Sequence, residues 1–360
     1  MKWFWRFIFT LVLIAGWAGL GYMYADFTLG SPKRNKPVEV VIPPNTSIQE
    51  IGDILKEKKL IRESYFFRYY AEYKNITNLK AGVYEIQPQE TLPEMLVKFS
   101  DGEQSLVKVT IPPGWNAKQI ADRLGKLGFD EKGFLKALND KQPKYNFEME
   151  IRKDPKRPYR LEGYLYPNTY QFRKNAKPED IVNAMLEQFA KRVDKLQVRD
   201  KLKAHPLRSG MSIDQWVTVA SLIEREGKVK EELPRISGVI YNRLNSRTNN
   251  KLMIDASVYF MKSMEGKSAT NLKNLRQIKG PYAAYNTYIH SGLPPGPISS
   301  PGEAALKAAL NPEKHSYEYY VTMRNCTGKH YFADTYTKHQ QYITLSDRNA
   351  KKYEDKCRAE

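Results

Sequence analysis

The feature that most limits what this chain can fold into is a run of 19 residues without a charged side chain, Phe7–Ala25. A helix rises about 1.5 Å per residue, so this run reaches about 28 Å, close to the ~30 Å hydrocarbon core of a bilayer. Aromatic residues of the kind found at membrane–water interfaces flank both ends, namely Trp3, Phe4, Trp5, Tyr22 and Tyr24. We therefore predict a transmembrane helix over residues 7–25.

The flanking charges favour one orientation of this helix. Lys2 and Arg6 precede the run and Asp26 follows it, which favours a cytoplasmic N-terminus over residues 1–6. A cleaved signal peptide is the alternative, but its apolar region is usually ~7–15 residues long, and no small-x-small cleavage site ends this run. We therefore expect a single-pass protein of the plasma (inner) membrane, with residues 27–360 in the extracytoplasmic or periplasmic space.

The net charge of the chain limits the classes of molecule that it is expected to bind. Its 360 residues include 58 Lys and Arg against 40 Asp and Glu, a net charge of +18. Such a charge attracts nucleic acid, anionic lipid or acidic wall polymers, and an extracytoplasmic location makes nucleic acid an unlikely partner. The two cysteines, Cys326 and Cys357, exclude a zinc ribbon; they could form a disulfide or remain two thiols.

An internal repeat with an offset of 69 residues organises the next part of the chain. Val40–Asn45 and Val109–Gly114 each read as a short β-branched strand that stops at a Pro-Pro pair. Each is followed by a short amphipathic helix, in which Ile51 corresponds to Ile120 and Leu55 to Leu124. Helix caps are expected at Thr46 or Ser47 in the first copy and at Asn116 in the second.

The remaining patterns predict an α+β protein with two extracytoplasmic domains. A Pro-rich basic linker covers residues 26–37. With a strand at 80–86 and a helix at 92–99, residues 38–105 suggest a small strand–helix–helix–strand subdomain, similar in layout to LysM glycan-binding domains; a purely structural module is the alternative. Residues 106–360 form a larger mixed domain, with helices at 178–203, 212–227, 232–244 and 302–310 and strands near 317–323 and 329–332.

Two carboxylates at the end of an apolar helix are the candidates for chemistry. Motifs for phosphate, dinucleotide, zinc-protease and serine-hydrolase sites are absent, and the five histidines lack ligand spacing, so we expect no metal and no cofactor. In the helix Ser212–Glu226, Glu224 falls beside Val217 and Ala220, and Glu226 borders the opposite edge of the same face. Burial would raise the pKa of either carboxyl toward that of a general acid. Helix geometry does not choose between them, and a solvated glutamate is the alternative for both.

Six motifs in one order resemble the endolytic murein (lytic) transglycosylases of the MltG or YceG-like type. They are Lys80–Tyr84 (KAGVY), Leu161–Pro167 (LEGYLYP), Ala220–Glu226 (ASLIERE), Val239–Leu244 (VIYNRL), Tyr285–Tyr288 (YNTY) and Gly292–Ile298 (GLPPGPI). The resemblance covers roughly residues 38–345. His339 fits a looser family pattern near the end, where a structural hydrogen bond is its expected role.

The resemblance implies a non-hydrolytic carbon–oxygen lyase. Such an enzyme would cut the β-1,4 bond between MurNAc and GlcNAc in nascent peptidoglycan strands, leave 1,6-anhydro-MurNAc ends and work beside peptidoglycan synthases. The family's catalytic residue corresponds to Glu224, and the residues expected to bind the sugar are Glu226, Asn242, Asp255, Asn286, Thr287 and Tyr288. The alternatives are an inactive LysM-like protein that tethers the wall and a basic domain that binds anionic polymer without catalysis.

Overall fold

A computed structural model describes residues 2–102, 106–248, 250–266 and 280–353. The chain divides into two compact units, Met1–Val107 with Gln171–Asn175, and Lys108–Tyr170 with Ala176–Glu360. Helices and short two-stranded sheets make up both, so the predicted α+β class is confirmed. Cys357 lies outside the described residues, so both expectations for it, a disulfide with Cys326 or two thiols, stay predictions.

The first unit begins with one long apolar helix, α1 (Lys2–Leu29). Its segment Trp3–Leu29 has a mean hydropathy of 1.7 in its most apolar window, and none of that window is buried in protein. By length and composition α1 can cross a membrane, which is consistent with a single-pass anchor. The helix continues beyond residue 25, through the start of the predicted linker, and ends at Leu29.

The rest of the first unit is a strand–helix–helix–strand arrangement followed by a further helix. Its elements are β1 (Val38–Ile42), α2 (Ile48–Glu57), α3 (Ser64–Tyr73), β2 (Gly82–Ile86) and α4 (Leu92–Asp101). The two strands pair antiparallel, from Val38 opposite Ile86 to Ile42 opposite Gly82. One face of each element meets in a single apolar core, which includes Ile42, Leu55, Phe67, Leu96 and Phe99.

The predicted repeat is confirmed in both copies. In the first, Ser47 caps α2 and exchanges capping-box hydrogen bonds with Glu50. In the second, Asn116 caps helix α5 (Ala117–Lys126) in the same way with Gln119. The four matched apolar residues, Ile51, Leu55, Ile120 and Leu124, are all buried.

The second unit is mostly helical. Its further helices are α6 (Glu131–Asp140), α7 (Pro178–Lys195), α8 (Val198–Lys203), α9 (Ile213–Glu226), α10 (Leu233–Asn245), α11 (Asp255–Met264), α12 (Glu303–Leu310) and α13 (Tyr336–Lys352). Its sheet pairs β5 (Tyr319–Thr322) antiparallel with β6 (His330–Ala333). A further sheet pairs β3 (Leu106–Ile111) with β4 (Asn168–Arg173), and both of these strands contain residues of each unit. The single helix predicted over 178–203 is two helices, because Gln197 has a left-handed backbone with φ of 52°.

Helix α9 lies at the centre of the second unit. Trp216 is fully buried, and its indole N–H donates to the carbonyl of Leu306 in α12 at 3.1 Å. At the start of α9, buried Asp214 accepts hydrogen bonds from the Arg157 guanidinium and, at 2.7 Å, from the Tyr164 hydroxyl. These contacts fix the first turn of α9.

Candidate active site

Glu224 lies in the last turn of α9, partly buried, against the start of α12. Its Oε2 accepts a hydrogen bond from the backbone N–H of Gly302 at 3.0 Å. Burial raises the pKa of Glu224 above its ordinary value, and the Gly302 N–H opposes this shift only in part. A carboxyl in this setting holds its proton more readily than a solvated one, as a general acid must.

The turn after β3 forms a second wall beside Glu224. The backbone N–H of Gly114 donates to the carbonyl of Ser300 at 2.9 Å. The backbone N–H of Ser300 donates in turn to the carbonyl of Trp115 at 2.7 Å. The guanidinium of Arg225 reaches the same turn and donates to the carbonyl of Gly114 at 3.3 Å. The Pro-Pro-Gly turn of the second repeat is therefore joined to the segment that holds Glu224.

The motif Gly292–Ile298 leads into that segment and is held by α9 itself. The Ser221 hydroxyl accepts from the backbone N–H of Ile298 at 3.1 Å, and the Ser299 hydroxyl donates to the carbonyl of Ser221 at 3.3 Å. Ser221 precedes Glu224 by three residues and so lies on the same side of the helix. The distance between Glu224 and Gly302 is thus set by contacts one helical turn away.

Glu226 lies in a different environment from Glu224. The Tyr320 hydroxyl on β5 donates to its Oε2 at 2.8 Å. Burial raises the pKa of Glu226 to about 7 and the negative charge of Asp255 adds to this, while the Tyr320 hydrogen bond acts in the opposite direction. Glu226 can therefore gain or lose a proton near neutral pH.

Asp255 is the first residue of α11 and accepts a hydrogen bond from the Tyr288 hydroxyl. Two hydrogen bonds between Thr287 and the residues just before Asp255 hold Asp255 in this position. The N–H of Met253, whose backbone is left-handed with φ of 53°, donates to the Thr287 carbonyl at 3.1 Å. The N–H of Ile254 donates to the Thr287 hydroxyl at 2.9 Å. The YNTY motif thus supplies both the support and the partner of Asp255.

A cleft of about 710 Å³ collects three of the predicted residues, Glu226, Asp255 and Tyr288. Glu224 is not part of this lining; its carboxylate faces Gly302. The cleft is also lined by side chains that were not predicted from the sequence, among them Arg243, Tyr319, Tyr320 and Tyr336. Arg243 belongs to the NRL motif and could have been proposed from it, but the tyrosines lie on elements that carry no motif.

His339 also lines the cleft, where its ring stacks on Tyr319 with the centroids 5.2 Å apart. The guanidinium carbon of Arg243 lies 5.7 Å from the centre of the same tyrosine ring. Burial lowers the pKa of Arg243, and burial together with the charge of Arg243 lowers the pKa of His339. The wall made by α10, β5 and α13 is therefore aromatic and cationic.

The other predicted residues point into the protein. The Asn242 amide donates to the carbonyls of His315 at 2.8 Å and Tyr317 at 2.9 Å. Asn286 is fully buried and accepts from the N–H of Tyr288 at 3.0 Å, which makes it a turn residue. Thr287, also buried, supports Met253 and Ile254. These three residues hold the walls of the cleft.

Among the residues that the structure describes, no group of three or more His, Cys, Asp or Glu side chains is placed to hold a metal ion. The described lining of the cleft offers carboxyl, hydroxyl and guanidinium groups.

Comparison with known proteins gives one consistent result. The model of the YceG-like family matches residues 40–344. A protein of Bacillus subtilis (strain 168) named endolytic murein transglycosylase is 30% identical over 337 residues, which cover 90% of this chain and 89% of that protein. A protein of Streptococcus pneumoniae (strain D39) with the same name is 30% identical over 359 residues, or 94% of this chain. The chain spans 64% of the length of that relative.

A solved structure of a related protein supports the same family assignment. The crystal structure of a yceG-like protein from Listeria monocytogenes is 33% identical to this chain and superposes on it with a TM-score of 0.54, covering 85% of this chain and 99% of its own. The resemblance found in the six motifs is therefore confirmed over most of the sequence. The chain belongs to the YceG-like family.

Proposed function

We propose that this protein is a peptidoglycan lytic transglycosylase that cuts glycan strands between MurNAc and GlcNAc and uses Glu224 as its general acid and base. The observation that carries the proposal is the position of Glu224, partly buried at the end of α9 and held by the Gly302 N–H. Its raised pKa suits proton donation. The shared name of the relatives, endolytic murein transglycosylase, supports the same reaction.

In the first step the protonated Glu224 donates its proton to the glycosidic oxygen, which leaves as the 4-hydroxyl of GlcNAc while its bond to C1 of MurNAc breaks. The C6 hydroxyl of the same MurNAc then attacks C1 and closes a 1,6-anhydro ring, and its proton returns to Glu224. No water is consumed, so a second carboxylate that activates water is not required. Intramolecular attack supplies the high effective concentration of the nucleophile.

The cleft that Glu226 lines supplies groups that could bind the sugar. Glu226 and Asp255 can accept hydrogen bonds from sugar hydroxyls, and Tyr288 and Tyr320 hold these two carboxylates in place. Tyr336 is exposed and offers a ring face against which a pyranose can pack. We assign Asn242, Asn286 and Thr287 to positioning these walls.

The proposal also includes a location. The apolar helix α1 would anchor the protein in the plasma membrane, with Lys2 and Arg6 on the cytoplasmic side and both compact units outside. The net charge of +18 would favour an anionic membrane and wall. As the resemblance implies, the enzyme would act on nascent strands next to the synthases that make them.

The deciding experiment digests purified peptidoglycan with the full chain in detergent or nanodiscs and identifies the products by mass spectrometry. We expect 1,6-anhydro ends from the wild type and from Glu231→Gln, a control at an exposed position, and a loss of at least about 100-fold in Glu224→Gln. Reducing ends would show hydrolysis and overturn the mechanism. Unchanged activity in Glu224→Gln with loss in Glu226→Gln would move the catalytic role to Glu226.

A binding protein without catalysis is the second candidate. The order β1–α2–α3–β2 supports the likeness of this module to LysM domains, which bind glycans. This candidate predicts that the wild type and Glu224→Gln sediment equally with peptidoglycan and that neither releases products.

A further inference from the structure

Helix α3 carries a continuous aromatic face, of which Phe66 and Tyr70 are half-buried against the core of the first unit while three tyrosines are exposed. At 100° per residue, five of its ten residues fall on one arc of about 140°: Tyr65, Phe66, Tyr69, Tyr70 and Tyr73. The opposite side of the helix is buried at Phe67 and Ala71. Along the arc, Tyr65, Tyr69 and Tyr73 are 52%, 65% and 72% exposed.

The rings on this arc contact one another and leave a broad apolar surface. Phe66 packs beside Tyr65 and Tyr69 with centroids 6.3 and 6.4 Å apart, and Tyr70 packs beside Tyr73 at 6.4 Å. At the end of the arc the ammonium of Lys74 lies 5.3 Å from the centre of the Tyr73 ring. A patch of this kind, with a cation at its edge, is typical of an interaction surface.

The end of α1 lies directly against this region, within the same compact unit. The hydroxyls of Tyr24 and Tyr65 are 2.8 Å apart and hydrogen-bonded. Three residues away on each segment, the guanidinium carbon of Arg62 lies 3.8 Å from the centre of the Phe27 ring, and Arg62 Nε donates to the Phe27 carbonyl at 3.0 Å. Tyr65 therefore lies at the same level along α1 as Tyr24.

That level corresponds to the edge of a membrane. From Trp5 to Tyr24 the helix rises about 28 Å, which matches the ~30 Å hydrocarbon core, so Tyr24 falls at the outer boundary. Tyrosine and tryptophan concentrate at this boundary because an aromatic ring prefers the apolar side while its hydroxyl or N–H stays hydrated. Tyr65, the first residue of the arc, shares that depth through its bond to Tyr24.

We propose that the aromatic face of α3 lies in the outer interfacial layer of the bilayer and docks the first unit on the lipid surface. The partner is lipid rather than glycan because the face continues directly from a membrane-spanning helix. The charged residues beside the face are Arg62, Lys74 and the exposed ion pair of Arg68 with Glu72, a net positive set that suits anionic headgroups. This inference rests on the proposed membrane span of α1 and is independent of the proposed catalysis by Glu224.

The test uses the full chain in nanodiscs of phosphatidylethanolamine and phosphatidylglycerol. An environment-sensitive fluorescent amino acid, dansylalanine, replaces one residue at a time: Tyr69 on the arc, Val97 as control and Ala15 in the span. Val97 lies on α4 in the same unit and is 48% exposed, so it matches Tyr69 in being an exposed surface position. Quenching is measured with nitroxide lipids labelled near the headgroup or deep in the chain, and circular dichroism checks that each variant is folded.

We expect headgroup-labelled lipid to quench the probe at Tyr69 severalfold more than the probe at Val97, and deep-labelled lipid to quench the probe at Ala15. Equal quenching at Tyr69 and Val97, with Ala15 quenched, would show that α3 faces water and would overturn the proposal. An unquenched probe at Ala15 would overturn the span and the proposal with it, whatever the peptidoglycan digests show. A probe at Tyr69 that responds to soluble glycan strands but not to lipid would assign the face to glycan instead.

Discussion

The hydroxyl of Tyr320 donates a hydrogen bond to Oε2 of Glu226 at 2.8 Å and thereby joins β5 to the last turn of α9. The bond favours the ionised carboxylate, while burial and the nearby Asp255 favour the protonated form. The result is a carboxyl with a pKa of about 7, two residues from the proposed catalytic glutamate.

The first prediction concerns this pair. Tyr320→Phe removes the bond that lowers the pKa of Glu226, so the pKa should rise above about 7, by roughly one unit for a bond of ordinary strength. The limb of the pH–activity profile that reports Glu226 should move to higher pH. The control is Tyr336→Phe, which alters another tyrosine of the same cleft. A profile that shifts equally in both variants, or in neither, would contradict the assignment.

The second prediction concerns Glu162, which is only 1% exposed. Its carboxylate accepts from the N–H groups of Ala117 at 3.0 Å and Gly163 at 3.2 Å, yet burial raises its pKa from 4.5 to about 8. A folded-state pKa above the unfolded one means that ionisation opposes folding. The wild type should therefore lose stability as pH rises from about 4.5 to about 8.

Glu162→Gln cannot ionise and keeps an acceptor for one of these N–H groups. Its free energy of unfolding, relative to wild type, should increase by a few kcal/mol between pH 5 and pH 8, as measured by urea unfolding. Glu179→Gln, at an exposed site in the first turn of α7, is the control and should show no such trend. If the free energies of unfolding of Glu162→Gln and wild type differ by the same amount at every pH in this range, Glu162 does not ionise in it.

The third prediction compares a buried ion pair with an exposed one. Asp214→Ala leaves the guanidinium of Arg157 buried without its carboxylate partner, which should cost about 3–5 kcal/mol of folding free energy. Asp347→Ala breaks the exposed pair with Arg324, formed at 3.0 Å, and should cost less than about 1 kcal/mol. Both values come from chemical denaturation, and similar losses in the two variants would contradict the argument.

The fourth prediction separates backbone strain from collision at two glycines. Gly163 and Gly292 have φ of 85° and 80°, so alanine strains the backbone at both, by roughly 1–2 kcal/mol. A Cβ at Gly163 would lie 2.3 Å from Cβ of Pro297, whereas at Gly292 no heavy atom of the described residues lies within 4 Å. Gly163→Ala should therefore melt at a clearly lower temperature than Gly292→Ala. Equal melting temperatures would mean that the Pro297 segment moves freely.

Local sequence patterns predicted the strands that end at a Pro-Pro pair and the helices that begin at a capping residue. The two repeats were found because Pro-Pro ends each strand and Ser47 or Asn116 caps each following helix. Helix α9 was found for the same reason, since Ser212 and Gln215 form a capping box before its apolar face. The break at Gln197 was missed because nothing in its neighbourhood requires a left-handed backbone there.

The carboxylates of the candidate site were predicted from the sequence, but the groups that donate hydrogen bonds to them were not. Glu224 and Glu226 stand out because helix periodicity places them beside buried residues. Tyr320 reaches Glu226 across 94 positions of sequence and Gly302 reaches Glu224 across 78, and single-sequence periodicity carries no information on such contacts. For the same reason Asn286, which the family motif suggested as a sugar ligand, is found fully buried as a turn residue.

The wall of the cleft that β5 and α13 supply has a consequence for the timing of activity. Synthesis proceeds from the N-terminus, so α1 can enter the membrane and α9 can form before residues 319–343 leave the ribosome. Until then Glu226 lacks Tyr320, and the cleft lacks the ring pair of Tyr319 and His339. Under the proposed location and activity, a half-exported molecule would carry its glutamates without a complete groove, so cutting of the wall would begin only when export of the chain is nearly finished.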